Sequence, residues 1–176
     1  ASTSDDTHLT ELFQIQNDQG PCLEASMTGL PVVANDLRDA GGPVPRAVLT
    51  PYPVTSPDFS SPSYTEFAEG YGLTRAGMQA YWDLYTRDPA DRLNPLAAPL
   101  RADCAGLPPT FIQLAELDVL RSDGERMAEK MKAAGVDVTV ATYPGVLHGF
   151  MRLTGPVAMA RTAVAEAGAW LKGKLA

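Results

Sequence analysis

One stretch limits the folds open to this chain more than any other: residues 110–150, TFIQLAELDVLRSDGERMAEKMKAAGVDVTVATYPGVLHGF. An apolar run, Phe111–Leu117, ends on Asp118. A short amphipathic helix is expected next, then an alternating strand carrying Val136, Val138 and Val140, and the stretch closes on His148-Gly149-Phe150. Strand, helix and strand in that order imply a right-handed crossover in a parallel α/β sheet. The acid and the histidine then leave the sheet at the same carboxyl edge, where open α/β folds place their ligands. A carboxylate on one imidazole nitrogen fixes the tautomer and stabilises the imidazolium, while the other nitrogen faces a nucleophile. The pair therefore suggests the orienting half of a catalytic triad. On the residues alone this reading is balanced by a plainer one, in which Asp118 is a helix-start acid and His148 a loop residue.

The stretch resembles the hormone-sensitive-lipase-like family of α/β-hydrolases. That family carries a D-P-L-R-D-E-G run after a late strand and a later H-G-F; here the first reads Asp118-Val119-Leu120-Arg121-Ser122-Asp123-Gly124 and the second His148-Gly149-Phe150. The resemblance extends back through PLAAPLRADCAGLPP, SPSYTEFAEGYGLTRAGMQAYWDLY and PRAVLTPYPV. It covers about residues 31–176, roughly the C-terminal half of the family's fold. It implies a three-layer α/β-hydrolase-like parallel sheet flanked by helices, truncated at the N-terminal side. Residues 31–176 would be the C-terminal portion of the domain and residues 1–30 an atypical N-terminal segment.

The resemblance also implies roles. His148 would be the general base and Asp118 its orienting acid. Asp123 falls on a family glutamate and reads better as a negative charge at a helix N-terminus. The family's G-D-S-A-G-G nucleophile run meets Glu24-Ala25-Ser26-Met27-Thr28-Gly29, which sets Ser26 on the nucleophile. Counted backwards from the following helix, Ala25 takes that place instead. A nucleophile elbow is a tight, strained turn that needs small residues on both sides. Glu24 and Thr28 stand there, so an ordinary loop serine is the competing reading. The family's H-G-G-G run has no counterpart, and loss of an oxyanion donor typically costs on the order of 10²–10³ in rate.

With 14 Lys and Arg against 21 Asp and Glu, the net charge of −7 argues against nucleic acid and anionic membrane surfaces as partners. No apolar stretch is long enough to cross a bilayer and no signal-peptide pattern opens the chain, so a cytoplasmic location is the default expectation. At 176 residues one domain is expected. No zinc spacing, Walker loop or G-x-G-x-x-G is present, and no cofactor or metal is expected. Cys22 and Cys104 are the only cysteines; two free thiols are expected rather than a pair. His8, in a polar opening segment, is given no role.

Along the rest of the chain, Leu9, Leu12 and Phe13 suggest a short helix before Gly20-Pro21, and Val32–Ala40 reads as the end of another. Arg46–Pro53 gives a short strand that prolines should end near Thr50. Thr74 is placed to cap a helix through Tyr85, whose stripe of Met78, Tyr81, Trp82 and Tyr85 should pack on the sheet, with a substrate pocket as the second possibility. Ser122 and Glu125 make a capping-box pattern; the helix should bury Met127, Ala128, Met131 and Ala134 and stop at Gly135. A last helix after Gly155-Pro156 should turn Ala160, Ala163, Val164, Ala167, Trp170 and Leu171 inward.

Two functions stay open. One is a carboxylic-ester hydrolase for short acyl esters, working through Ser26, His148 and Asp118, with activity expected to be weak because the elbow residues are too large and the usual oxyanion donors are absent. The other is a non-catalytic, truncated family member that serves as a binding module or self-associates through an open sheet edge near Ala47–Thr50.

Overall fold

In the computed structural model, which describes residues 45–86 and 88–175, three strands form one parallel sheet in the order β1 (Val48–Pro51), β2 (Thr110–Leu117), β3 (Val138–Leu147). Four helices accompany them: α1 (Pro62–Glu66), α2 (Arg75–Tyr85), α3 (Arg121–Ala133) and α4 (Ala158–Leu175). Val48 pairs with Thr110, and Thr110 with Val138, so the three strands start level. The short helix expected to carry Leu9, Leu12 and Phe13 and the helix end expected at Val32–Ala40, together with His8, Cys22, Ser26 and the boundary at residue 30, lie outside the described residues.

β2 is buried on both faces, which is why its sequence is a continuous apolar run rather than an alternation. Its even-numbered side chains meet α3: Ile112 and Leu114 pack with Cys104, Ala128, Met131 and Val136. Its odd-numbered side chains meet α4: Ala115 packs with Tyr143, Phe150, Ala160 and Ala163. The result is helix, sheet, helix in three layers.

Local chemistry sets the boundaries. β1 stops at Pro51, one residue later than expected, and the next ladder bond is donated by the Tyr52 amide to the Gln113 carbonyl at 2.6 Å. Thr74 caps α2, its hydroxyl accepting from the Gly77 amide at 3.0 Å. Gly135, at φ +82°, ends the turn after α3 in the left-handed region that favours glycine.

Several expectations fail for identifiable reasons. The stripe on α2 divides: Met78 and Trp82 are buried with Tyr64, Phe67, Val119 and Leu120, while Tyr81 and Tyr85 are 60% and 68% exposed. It packs on α1 and the β2–α3 corner, not on the sheet. The capping box of Ser122 and Glu125 does not form, because Ser122 is buried inside the first turn of α3 and bonded elsewhere. The Ser63 amide donates to the Ser122 hydroxyl and the Ser122 amide to the Ser63 hydroxyl, both at 3.1 Å, stapling α1 to α3. Glu125 pairs instead with Arg121 one turn back, at 3.5 Å. Ala134 and Val164 are exposed, each falling beyond the buried stripe of its helix. β3 begins at Val138 rather than Val136, since Val136 is drawn under α3 by its amide bond to the Met131 carbonyl.

Candidate active site

The carboxyl edge of the sheet is built from three chain exits. Asp118 is the first residue after β2 and is only 1% exposed. Its Oδ1 accepts the Leu120 amide at 2.9 Å, which fixes the carboxylate plane as the chain turns into α3. His148 follows β3 directly. Between Ala115–Tyr143 and Leu117–Leu147 the register slips, so four residues of β3 advance against two of β2. Gly145 sits in this bulge at φ +68°, and its amide donates to Glu116 Oε2 at 2.7 Å. Bulges re-aim the side chains beyond them. This one delivers His148 to the end of β2, where its Nδ1 lies 2.8 Å from Asp118 Oδ2.

The two residues paired by sequence reasoning are thus brought together at the sheet edge. An ionised Asp118 requires the proton on Nδ1, which leaves the Nε2 lone pair to accept a proton from elsewhere. The imidazole side chain is 27% exposed. It borders an open apolar cavity of about 670 Å³, lined also by Val54, Met78, Tyr81, Trp82 and Leu120. The outer half of the α2 stripe therefore faces a cavity beside the histidine, in keeping with the second reading of that stripe and not with packing on the sheet.

Asp123 does something the sequence did not suggest. It is fully buried, and its Oδ2 accepts the amides of Thr55 and Ser56 at 3.0 and 3.1 Å. Burial pushes its carboxyl up to about 6, against the two amides that favour the charged form. Rather than serving the α3 N-terminus alone, it ties the segment after β1 to α3. The Thr55 hydroxyl donates to the Asp123 carbonyl at 3.1 Å and completes the tie.

Tyr52 was also missed. It is the one non-glycine residue at positive φ among the described residues, at +37°. Its ring centroid lies 4.6 Å from that of His148, with the planes tilted by 60°. Such a backbone costs on the order of 1–3 kcal/mol and persists only where the surroundings enforce it. The available signal was Pro51-Tyr52-Pro53, a residue confined from both sides. Burial raises the Tyr52 hydroxyl above its ordinary value; Arg152 opposes and Asp118 adds to this.

A family model described as the alpha/beta hydrolase fold matches residues 30–152. Carboxylesterase NlhH of Mycobacterium tuberculosis is 40% identical over 148 residues, covering 82% of this chain and 46% of the relative. Ethyl acetate hydrolase of Pseudomonas putida is 36% identical over 110 residues, 62% of this chain and 35% of the relative. Among solved structures, a thermostable esterase from Pseudomonas putida superposes with a TM-score of 0.75 at 41% identity, covering 80% of this chain and 46% of that one. The chain spans about half the length of such relatives, or less.

Proposed function

Because the chain belongs to the hormone-sensitive-lipase-like family of α/β-hydrolases, we propose that it supplies the base and the orienting acid of a carboxylic-ester hydrolase. The observation that carries this reading is the 2.8 Å contact between His148 Nδ1 and buried Asp118 Oδ2, beside an apolar cavity.

In this reading His148 takes the proton of a serine hydroxyl as that oxygen attacks the ester carbonyl. It returns the proton to the departing alcohol, leaving an acyl-enzyme. Water then attacks with the same imidazole as base, the acid product leaves, and the serine regains its proton. Asp118 holds the ring in the tautomer this requires. Ser26 is the nucleophile of this proposal. Short acyl esters are the proposed substrates: the cavity wall is apolar, and relatives bear the names of ethyl acetate hydrolase and carboxylesterase.

Turnover of a short nitrophenyl ester by the full chain, and by Ser26→Ala and His148→Ala, tests the proposal. Hydrolysis lost in both variants is expected. Hydrolysis that survives Ser26→Ala but not His148→Ala would place the nucleophile elsewhere. A folded chain that turns over no ester would favour the non-catalytic module. Self-association through β1 is a separate proposal that does not depend on catalysis: among the described residues β2 alone pairs with that strand, and sedimentation at high concentration should show a dimer or larger species, whereas a monomer would count against it.

A further inference from the structure

The strands place side chains on fixed faces, and Tyr52 breaks the alternation. Pro51 is level with Gln113, whose amide donates to the Ala163 carbonyl of α4. Thr50 is level with Ile112, which packs with the α3 cluster. Continued alternation would therefore send Tyr52 toward α3, in step with Leu114. Instead it packs with Tyr143, Val146 and Phe150 on the α4 side. A φ of +37° at Tyr52 accompanies the reversal, and the Tyr52 amide keeps its ladder bond to Gln113. The ring reaches His148 at a centroid distance of 4.6 Å and Phe150 at 6.2 Å.

We propose that Tyr52 is a positioning residue for His148, its ring carried by a reversed backbone onto the imidazole so that the histidine is held on a face as well as at an edge. With a single bond from Nδ1 to Asp118, the imidazole can still rock through small rotations of χ1 and χ2, and such rocking would swing Nε2 away from its target. A tilted aromatic ring against the imidazole blocks that motion. The hydroxyl takes no part, so the ring alone is required. The inference rests on the reading of His148 as a general base, and it is tested on two independent scales.

In the full chain, Tyr52→Leu should lower kcat for a short ester by about 10- to 100-fold with KM little changed, the loss expected when a catalytic group is misaligned. Tyr52→Phe should restore wild-type turnover. Separately, proton NMR of the His148 ring should show ring-current shifts that persist in Tyr52→Phe and vanish in Tyr52→Leu, with His8 as internal reference. A Tyr52→Phe variant as impaired as Tyr52→Leu would overturn the proposal, as would His148 ring shifts identical in Tyr52→Leu and wild type. If no ester is hydrolysed but the ring shifts respond as stated, the packing role stands and the hydrolase reading falls.

Discussion

Two carboxylates close in sequence, Asp118 and Asp123, are each almost entirely buried and have opposite tasks. Asp118 spends one oxygen on the Leu120 amide and the other on His148. Asp118→Asn keeps the shape but presents an amide to Nδ1 and favours the wrong tautomer; kcat for ester turnover should fall by about 10⁴-fold, with thermal stability changed little by comparison. Asp123 holds two amides, and burial raises its carboxyl from an ordinary 3.8 to about 6. A raised carboxyl binds its proton more tightly folded than unfolded. Its contribution to stability is therefore fullest below about 4, falls as pH rises to about 6 and is flat above. A shift of that size corresponds to roughly 3 kcal/mol. Asp123→Asn, whose amide oxygen can still accept from Thr55 and Ser56, should remove this slope. The difference between wild-type and variant urea midpoints from pH 4 to 7 measures it, and equal slopes would show that Asp123 does not titrate there. Of these roles, the Asp118–His148 pairing was legible in strand-end spacing. The bond from Asp123 to residues 55 and 56 was not, because it spans 68 positions with no local pattern to announce it. The direction of Tyr52 was hidden for a related reason: the flanking prolines signal a confined residue, but alternation rules assume a regular backbone, and here the backbone reverses.

At the scale of elements, Gly124 is the point where α3 lies against the side chains of β2 with no space for a Cβ. A Cβ added to Gly124 would lie 2.3 Å from Leu114 Cδ2, and Leu114 is itself fully buried with no room to withdraw. Gly124→Ala should therefore destabilise by about 1–3 kcal/mol through overpacking, seen as a lower urea midpoint at unchanged slope. Gly168→Ala in α4, where an added Cβ meets nothing within 4 Å, is the matched control and should be neutral or slightly stabilising. Element order and type were readable from periodicity, since β2 is doubly buried and α2, α3 and α4 each carry an inner stripe. Their limits were less readable. Ser122 is an acceptable N-cap by composition, yet tertiary bonds with Ser63 outbid that local use. The bulge at Gly145 could be suspected from Pro144-Gly145, but its size depends on the Glu116 carboxylate across the sheet.

For the whole molecule, the described residues bring a carboxylate, an imidazole and an apolar wall together at one sheet edge. Among them no helix is long and apolar enough to cross a membrane. The arrangement matches a family whose named relatives are esterases, and the chain spans about half of their length or less. The proposed hydrolysis requires that His148 activates a serine on this same chain. Intact-mass spectrometry after exposure to a nitrophenyl alkylphosphonate tests that most directly. One phosphonyl adduct per chain is expected, mapped to Ser26, absent in Ser26→Ala and slowed by at least about 10³-fold in His148→Ala, since the unassisted hydroxyl is a weak nucleophile. A folded chain that forms no adduct, or one whose labelling is indifferent to His148, would contradict it.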